Sequence, residues 1–263
     1  MAAMRTVLFV TLIAMAMLSV AHAEKNEPSM STAHQDCFGA TPIGPDGKAV
    51  EDQSLRITAC TLIIDSPYSP TAARLLAQRQ RAHAYLRKGL YDRAIQDYDA
   101  VIAMDPNSRD IAMRALSYSL KGEYDRAIED YDQAIVMDPN FAVAYNNRAW
   151  AYYRSGRGPT GLNDVEHSLK LDPRSEHAYD TRAHIRQTLG NTSGALQDYE
   201  MSIRLGGERM VKLYQCGLAE RGLYKGERDG KDNPELRQAM AKCVQDRDCD
   251  PLPGDEQCRE AVS

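Results

Sequence analysis

Between Tyr91 and Met104 the apolar residues Ala94, Ile95, Tyr98, Val101 and Ile102 recur at the spacing of one helical face, while Asp92, Arg93, Gln96, Asp97 and Asp99 take the outer face. This predicts an amphipathic helix whose polar side is an ordinary solvated surface carrying i,i+3 and i,i+4 charge pairs. Upstream, residues 75–88 predict another helix, with Leu76, Ala82, Tyr85 and Leu86 as its apolar positions. Gly89 lies between the two, where a tight turn can use its tolerance of positive φ. Asp105-Pro106 ends the second helix, because proline restricts the residue before it and cannot enter a helix interior.

The same unit returns further along. Residues 92–99 read DRAIQDYD and residues 125–132 read DRAIEDYD, with Gly89 and Gly122 upstream and Met-Asp-Pro-Asn following each. Self-similarity at roughly 33–34 residues marks an array of helical repeats. The units resemble the tetratricopeptide repeat (TPR) family. The matching residues are Ala82, Tyr85, Gly89, Ala94, Tyr98 and Pro106 in 75–108, and Ala115, Tyr118, Gly122, Ala127, Tyr131, Ala134 and Pro139 in 109–140. Residues 141–174 keep Tyr145, Ala149, Tyr152, Gly156 and Pro173, but have Gly161 for the usual alanine and Val165 for the tyrosine. Residues 175–207 keep Ala183, Gly190, Ala195 and Tyr199, and end in Leu-Gly-Gly instead of proline. The expected fold is all-α: a TPR-type solenoid of about four helix–turn–helix units over 75–207, each burying its apolar face on its neighbours.

Residues 55–65 have the spacing of a second repeat helix, with Cys60 at the tyrosine position, so 55–74 reads as a partial repeat or cap. Residues 24–54 are rich in Gly, Pro and polar residues and read as a mostly irregular arm. Residues 1–23 carry Arg5, an apolar run from Val7 to Val20, and Ala21-His22-Ala23, which together make a secretory signal peptide. No later run could span a membrane. The formal net charge of −5 gives no reason to expect nucleic acid.

Six cysteines follow the signal: Cys37, Cys60, Cys216, Cys243, Cys249 and Cys258. An even count in an exported chain points to disulfides, and no CxxC pair offers a metal site. The clustering makes Cys37–Cys60 the natural N-terminal bridge, tying the arm to the first repeat.

After Gly207 the period stops. Residues 208–263 resemble the small helical peptidoglycan-binding-like domain of bacterial envelope proteins, through Gln215, Leu218, Gly222, Tyr224, Gly226, Asp229-Gly230, Pro234, Ala239 and Met240. The physical content is a helix, a glycine-punctuated loop and a second helix opened by proline. Asn233 replaces the usual glycine, Asp232 a common aromatic and Leu236 a usual threonine. Glycan attachment and simple capping of the solenoid both remain open. With Cys216 and Cys243 on the two packing helices, the expected bridges are Cys216–Cys243 and Cys249–Cys258.

In the TPR family the first helix of each unit lines the concave face. That resemblance places Arg79, His83 and Leu86, then Ala112, Leu116 and Ser119, then Asn146, Trp150 and Tyr153, then Asp180, His184 and Gln187 in facing columns, with Asn147 where the family often binds a ligand backbone. Trp150, the one tryptophan, is the anchor candidate. Met113 and Thr181 stand where a carboxylate clamp would need Asn and Arg. No GxSxG, P-loop, HExxH or GxGxxG motif occurs, and no cofactor, metal or catalytic constellation is expected. The expected function is a non-enzymatic, periplasmic adaptor that holds a protein or peptide in its groove; the alternative is attachment to peptidoglycan through residues 208–263.

Overall fold

The computed structural model describes residues 29–39 and 52–253, and among these every regular element is a helix. Residues 1–28, expected to hold a signal peptide and the start of the arm, residues 40–51, and the last ten residues, with Cys258, lie outside them. The described helices are α1 (Met30–Phe38), α2 (Gln53–Asp65), α3 (Thr71–Arg87), α4 (Tyr91–Met104), α5 (Ser108–Lys121), α6 (Tyr124–Met137), α7 (Ala142–Arg154), α8 (Gly158–Leu171), α9 (Glu176–Thr188), α10 (Thr192–Glu220) and α11 (Pro234–Cys243). The chain forms two compact units that divide between Asp97 and Tyr98, inside α4.

In the first unit, α1 stands in the stretch expected to be irregular. Ser29 caps it by accepting from the Thr32 amide, and Ala33 and Cys37 form its buried edge. The Cys37–Cys60 bridge forms as expected and joins α1 to α2, with Cα atoms 4.9 Å apart. Ala33, Ala59, Ile63 and Ala77 close a small core around the sulfurs. On α3 the buried positions are Ala77, Ala82, Ala84 and Tyr85, whereas Leu76, read as an apolar-face residue, is exposed.

In the second unit, α5/α6, α7/α8 and α9/α10 pack as successive helix pairs. Their turn glycines Gly122, Gly156 and Gly190 all take positive φ, as does Gly89 in the first unit. Asn107 and Ser175 cap α5 and α9 by accepting from amides three residues on. The alanine–tyrosine positions are interior: Ala115, Tyr118, Ala127, Tyr131, Ala183, Ala195 and Tyr199 are all buried. Gly161 has a steric cause, since a Cβ there would lie 2.9 Å from the Cα and the carbonyl oxygen of Ala149. At this pair, α8 approaches the α7 backbone too closely for a methyl group.

Where proline was missing, α10 bends instead. Gly207 interrupts it with φ 57° and ψ −143°, a conformation open in practice to glycine alone. The second half of α10 and α11 then fold back on the fourth repeat. Tyr199, Ile203, Met210, Tyr214, Leu218, Tyr224, Leu236 and Met240 share one core, so the C-terminal module is continuous with the repeats beneath it. Asn233, in place of the usual glycine, is extended at φ −142° and caps α11 by accepting from the Leu236 amide.

The C-terminal bridges differ from expectation. After α11 the chain reverses through turns at residues 244–248, which brings the Cα of Cys249 to 5.3 Å from that of Cys243, and these two form the disulfide. Cys216 is disulfide-bonded too, but not to Cys243.

One outer-face assignment is also corrected. Asp97 is buried, because Arg81 on α3 holds it through Nε and Nη2 at 2.8 and 2.7 Å. Asp130 and Asp198 are buried in the same way by Arg114 and Arg182. The acidic face of each second helix is therefore only partly solvent.

Candidate interaction groove

Helix α7 carries the side chains that matter, and its spacing explains why. Ala144, Ala149 and Ala151 are buried against neighbouring helices, which turns Val143, Asn146, Asn147 and Trp150 toward the opposite side. Together with Leu116 of α5 and His177, Asp180 and Thr181 of α9, they line a cleft of about 440 Å³. Ala142, Ser168, Asp172 and Ser175 complete the walls, together with Leu252 of the tail. Arg and Lys are absent from the lining, which is mainly apolar.

Of the sequence-derived candidates, Leu116, Asn146, Asn147 and Trp150 come together here. Arg79 and His83 belong to the first unit, His83 exposed and Arg79 half-buried. Tyr153 lies behind the cleft, where its ring meets Trp150 and His184 at centroid distances of 5.2 Å each. Burial pushes its phenol up to about 12.

Asn146 carries an unmet demand. It is 7% exposed, its Nδ2 donates to Asn147 Oδ1 at 3.2 Å, and its Oδ1 is buried with no hydrogen-bond partner in the protein. A buried acceptor without a partner costs about 1–3 kcal/mol, so its position in a cleft wall points to a donor arriving from outside.

His184 departs most from expectation. It was placed on an open concave face, yet it is 1% exposed. Its Nδ1 faces the Asp180 carbonyl at 2.8 Å and its Nε2 faces Asp250 Oδ1 at 3.0 Å. Both ring nitrogens point at acceptors, which suits the imidazolium. Burial opposes that charge, but the carboxylate of Asp180 and the hydrogen bond to Asp250 outweigh it and push the pKa up to about 9. Burial, only partly opposed by the charge of His184, raises the pKa of Asp180. The Tyr214 hydroxyl donates to Asp180 Oδ1 at 2.6 Å.

Gln187, next in the same column, is also covered. Its Nε2 lies 3.3, 2.6 and 2.7 Å from the carbonyls of Cys243, Asp246 and Cys249. The fourth column is thus filled by the chain's own C-terminal tail. Sequence reasoning missed Asp250 and Leu252 because the tail has no period and shows only prolines and cysteines. Among the described residues no cluster of three or more His, Cys, Asp or Glu could hold a metal ion, and no helix is long and apolar enough to cross a membrane.

Residues 115–156 match the family model described as TPR repeat, and residues 80–108 match that described as tetratricopeptide repeat. The chain contains tetratricopeptide repeats. Its fold is similar to that of MamA, at 16% identity and a TM-score of 0.52, covering 64% of this chain and 96% of that one. A tetratricopeptide repeat protein from Parabacteroides merdae gives 17% identity and a TM-score of 0.50 over 58% of this chain and 60% of the other. The second TPR domain of human RPAP3, solved in complex with an HSP70 peptide, is 30% identical over 41% of this chain and 92% of that chain, with a TM-score of 0.40. No curated protein matches the sequence. The first two likenesses are to the α-solenoid fold.

Proposed function

We propose that this TPR protein is a non-enzymatic adaptor of the bacterial envelope that holds an extended segment of a partner protein in the α5–α7–α9 cleft. The observation that carries the reading is the buried, unpartnered Asn146 Oδ1 in an apolar cleft beside Trp150. An extended peptide supplies what that wall lacks, a backbone N–H for Asn146 and an apolar side chain for the Trp150 face. The cleft has no Arg or Lys in its lining but holds Asp172 and Asp180, so an internal segment suits it better than a free C-terminal carboxylate. Export is supported by the signal-like residues 1–23 and by bridges such as Cys37–Cys60, which persist in oxidising compartments.

Attachment to peptidoglycan has less support. Gln215, Tyr224, Asp229 and Gly230, which carry that resemblance, are occupied with one another: the buried Gln215 reaches Tyr224, the part-exposed Asp229 and the Lys231 carbonyl through Nε2, and its Oε1 accepts from the Gly230 amide.

Crosslinking in intact envelopes, followed by capture of the tagged chain, tests the adaptor reading. A partner that is trapped by the wild type and lost with Trp150→Ala supports it. A partner profile that ignores Trp150 removes the groove from the argument. Co-sedimentation with purified sacculi tests the other reading.

A further inference from the structure

The cleft wall includes one residue from outside the repeats. Leu252 lies beyond α11, yet it lines the cleft with Leu116, Val143 and Trp150. Both polar atoms of its backbone are held: the amide donates to Asp250 Oδ1 at 2.9 Å, and the carbonyl accepts from Arg221 Nη1 at 3.2 Å. It stands between Pro251 and Pro253, both buried, and a proline restricts the residue before it to extended backbone. The Pro251 carbonyl rests on α10 at Gly217, where a Cβ would lie 2.1 Å from its oxygen. Asp250 meets His184 at 3.0 Å, and that same ring meets Trp150 edge-on at a centroid distance of 5.3 Å. Cys216, beside Gly217, is disulfide-bonded; with Cys37–Cys60 and Cys243–Cys249 already paired, its partner is Cys258. The tail is therefore tied to the fold on both sides of Leu252. Its backbone is fixed, and its half-buried side chain is what faces the cleft.

We propose that Leu252 is a specificity-determining residue of the cleft, setting the size of the uncharged side chain that a partner segment anchors beside Trp150. This rests on the adaptor reading and deepens it. Leu116, Val143, Trp150 and Leu252 offer the anchor an apolar surface, while Asn146 Oδ1 takes a backbone N–H of the same segment. An acidic anchor is disfavoured, because the wall holds the carboxylates of Asp172 and Asp180 and no Arg or Lys. A basic anchor gains little. Asp180 is already engaged by His184 and by the Tyr214 hydroxyl, and Asp172 is exposed, where an ion pair is worth little. Because its backbone is pinned, Leu252 does not retreat from an oversized side chain, and it does not advance to fill the space beside an undersized one. Both mismatches weaken binding, by overpacking in the first case and by an unfilled cavity in the second.

The probe is a peptide selected from random decapeptides displayed on phage, with the full-length, disulfide-intact wild type immobilised. The enriched sequence is remade with Ala, Val, Leu or Phe at its anchor position, and the four affinities are measured by fluorescence anisotropy. The wild type should prefer Val or Leu. Leu252→Ala enlarges the subsite and should move the optimum to Phe; Leu252→Phe shrinks it and should move the optimum to Ala. The Phe-to-Ala affinity ratio should change by about tenfold or more in opposite directions in the two variants. A tail residue that served only to stabilise the fold would weaken all four peptides alike and leave their order intact. Melting temperatures confirm that each variant is folded, and if Leu252→Phe is not, Leu252→Val against the near-isosteric Leu252→Met gives the same comparison. An unchanged order in the Leu252 variants, with binding still abolished by Trp150→Ala, overturns the proposal and leaves the groove standing. Enriched peptides that all ignore Trp150→Ala would sink the groove reading, and the assignment of Leu252 with it.

Discussion

Arg114 holds Asp130 through two parallel hydrogen bonds, Nε to Oδ2 and Nη2 to Oδ1, each 2.7 Å long. The same fork recurs at Arg81–Asp97, Arg148–Asp164 and Arg182–Asp198, always sixteen residues apart, so each repeat clamps its first helix to its second. The remaining nitrogen reaches backward: Arg114 Nη1 donates to Asp99 at 2.6 Å and Arg148 Nη1 to Asp132 at 2.5 Å, in each case on the preceding second helix. One guanidinium therefore fixes the pairing within a repeat and its register on the one before. Removing one partner of a buried pair leaves a desolvated charge behind. Asp130→Ala should cost about 3–5 kcal/mol in urea unfolding, and Arg114→Lys should lose stability through the missing fork. A loss for Asp130→Ala no larger than that of an exposed pair would show that Arg114 finds enough compensation elsewhere.

Gly161 tests how tightly the third repeat is closed. Ala94, Ala127 and Ala195 occupy the matching position in the other repeats and are fully buried. Restoring the family residue with Gly161→Ala gains up to about 1 kcal/mol of helix propensity. It also sets a methyl 2.9 Å from the backbone of Ala149, which cannot swing aside as a flexible side chain can. Overpacking of this kind costs about 1–3 kcal/mol, so the net effect should be destabilising. A thermal melt that rises in Gly161→Ala would mean that α7 and α8 separate without penalty.

Much of the fold was legible because its signals repeat. Tyr98 and Tyr131 each fall a fixed interval after a turn glycine, and both are buried where that spacing places them. Asp97 was not legible: by spacing it belongs to the polar face, and only the arginine sixteen residues earlier draws it inside. The groove was legible in its middle, at Leu116, Asn146 and Trp150, where one helix's period sets the direction of each side chain. It was not legible at His184, because what covers that ring is sixty-six residues away in sequence and aperiodic. Cysteine pairing failed for the same reason. Helix content near Cys216 and Cys243 suggested one bridge, while a tight reversal after α11 produced another.

The buried His184 makes stability depend on alkaline pH. Its folded pKa of about 9 lies above that of a free imidazole, about 6.5, so the folded state favours the proton. The stabilisation from its contacts with Asp180 and Asp250 is complete below about pH 6.5 and is lost as pH rises through about 9. The difference is on the order of 3 kcal/mol. Unfolding free energies from denaturant titration should fall across that interval, and His184→Gln should flatten the slope. A wild-type curve level between pH 6.5 and 9.5 would mean that the ring is neutral in the fold.

Asn146 separates the demands of stability from those of binding. In the isolated chain its Oδ1 is buried with no partner, and its one side-chain bond, to Asn147 Oδ1, is 3.2 Å long. Asn146→Ala removes an unsatisfied acceptor along with that bond, and replacing an orphaned polar group by an apolar one is close to neutral or stabilising. The melting temperature should therefore hold or rise slightly. Crosslinked partner recovery should fall, because the wall no longer offers an acceptor to an incoming backbone N–H. That combination is the signature of a residue kept at a cost to the fold for the sake of a ligand. A marked drop in melting temperature together with unchanged recovery would reverse the assignment and make Asn146 part of the packing between α7 and its neighbours.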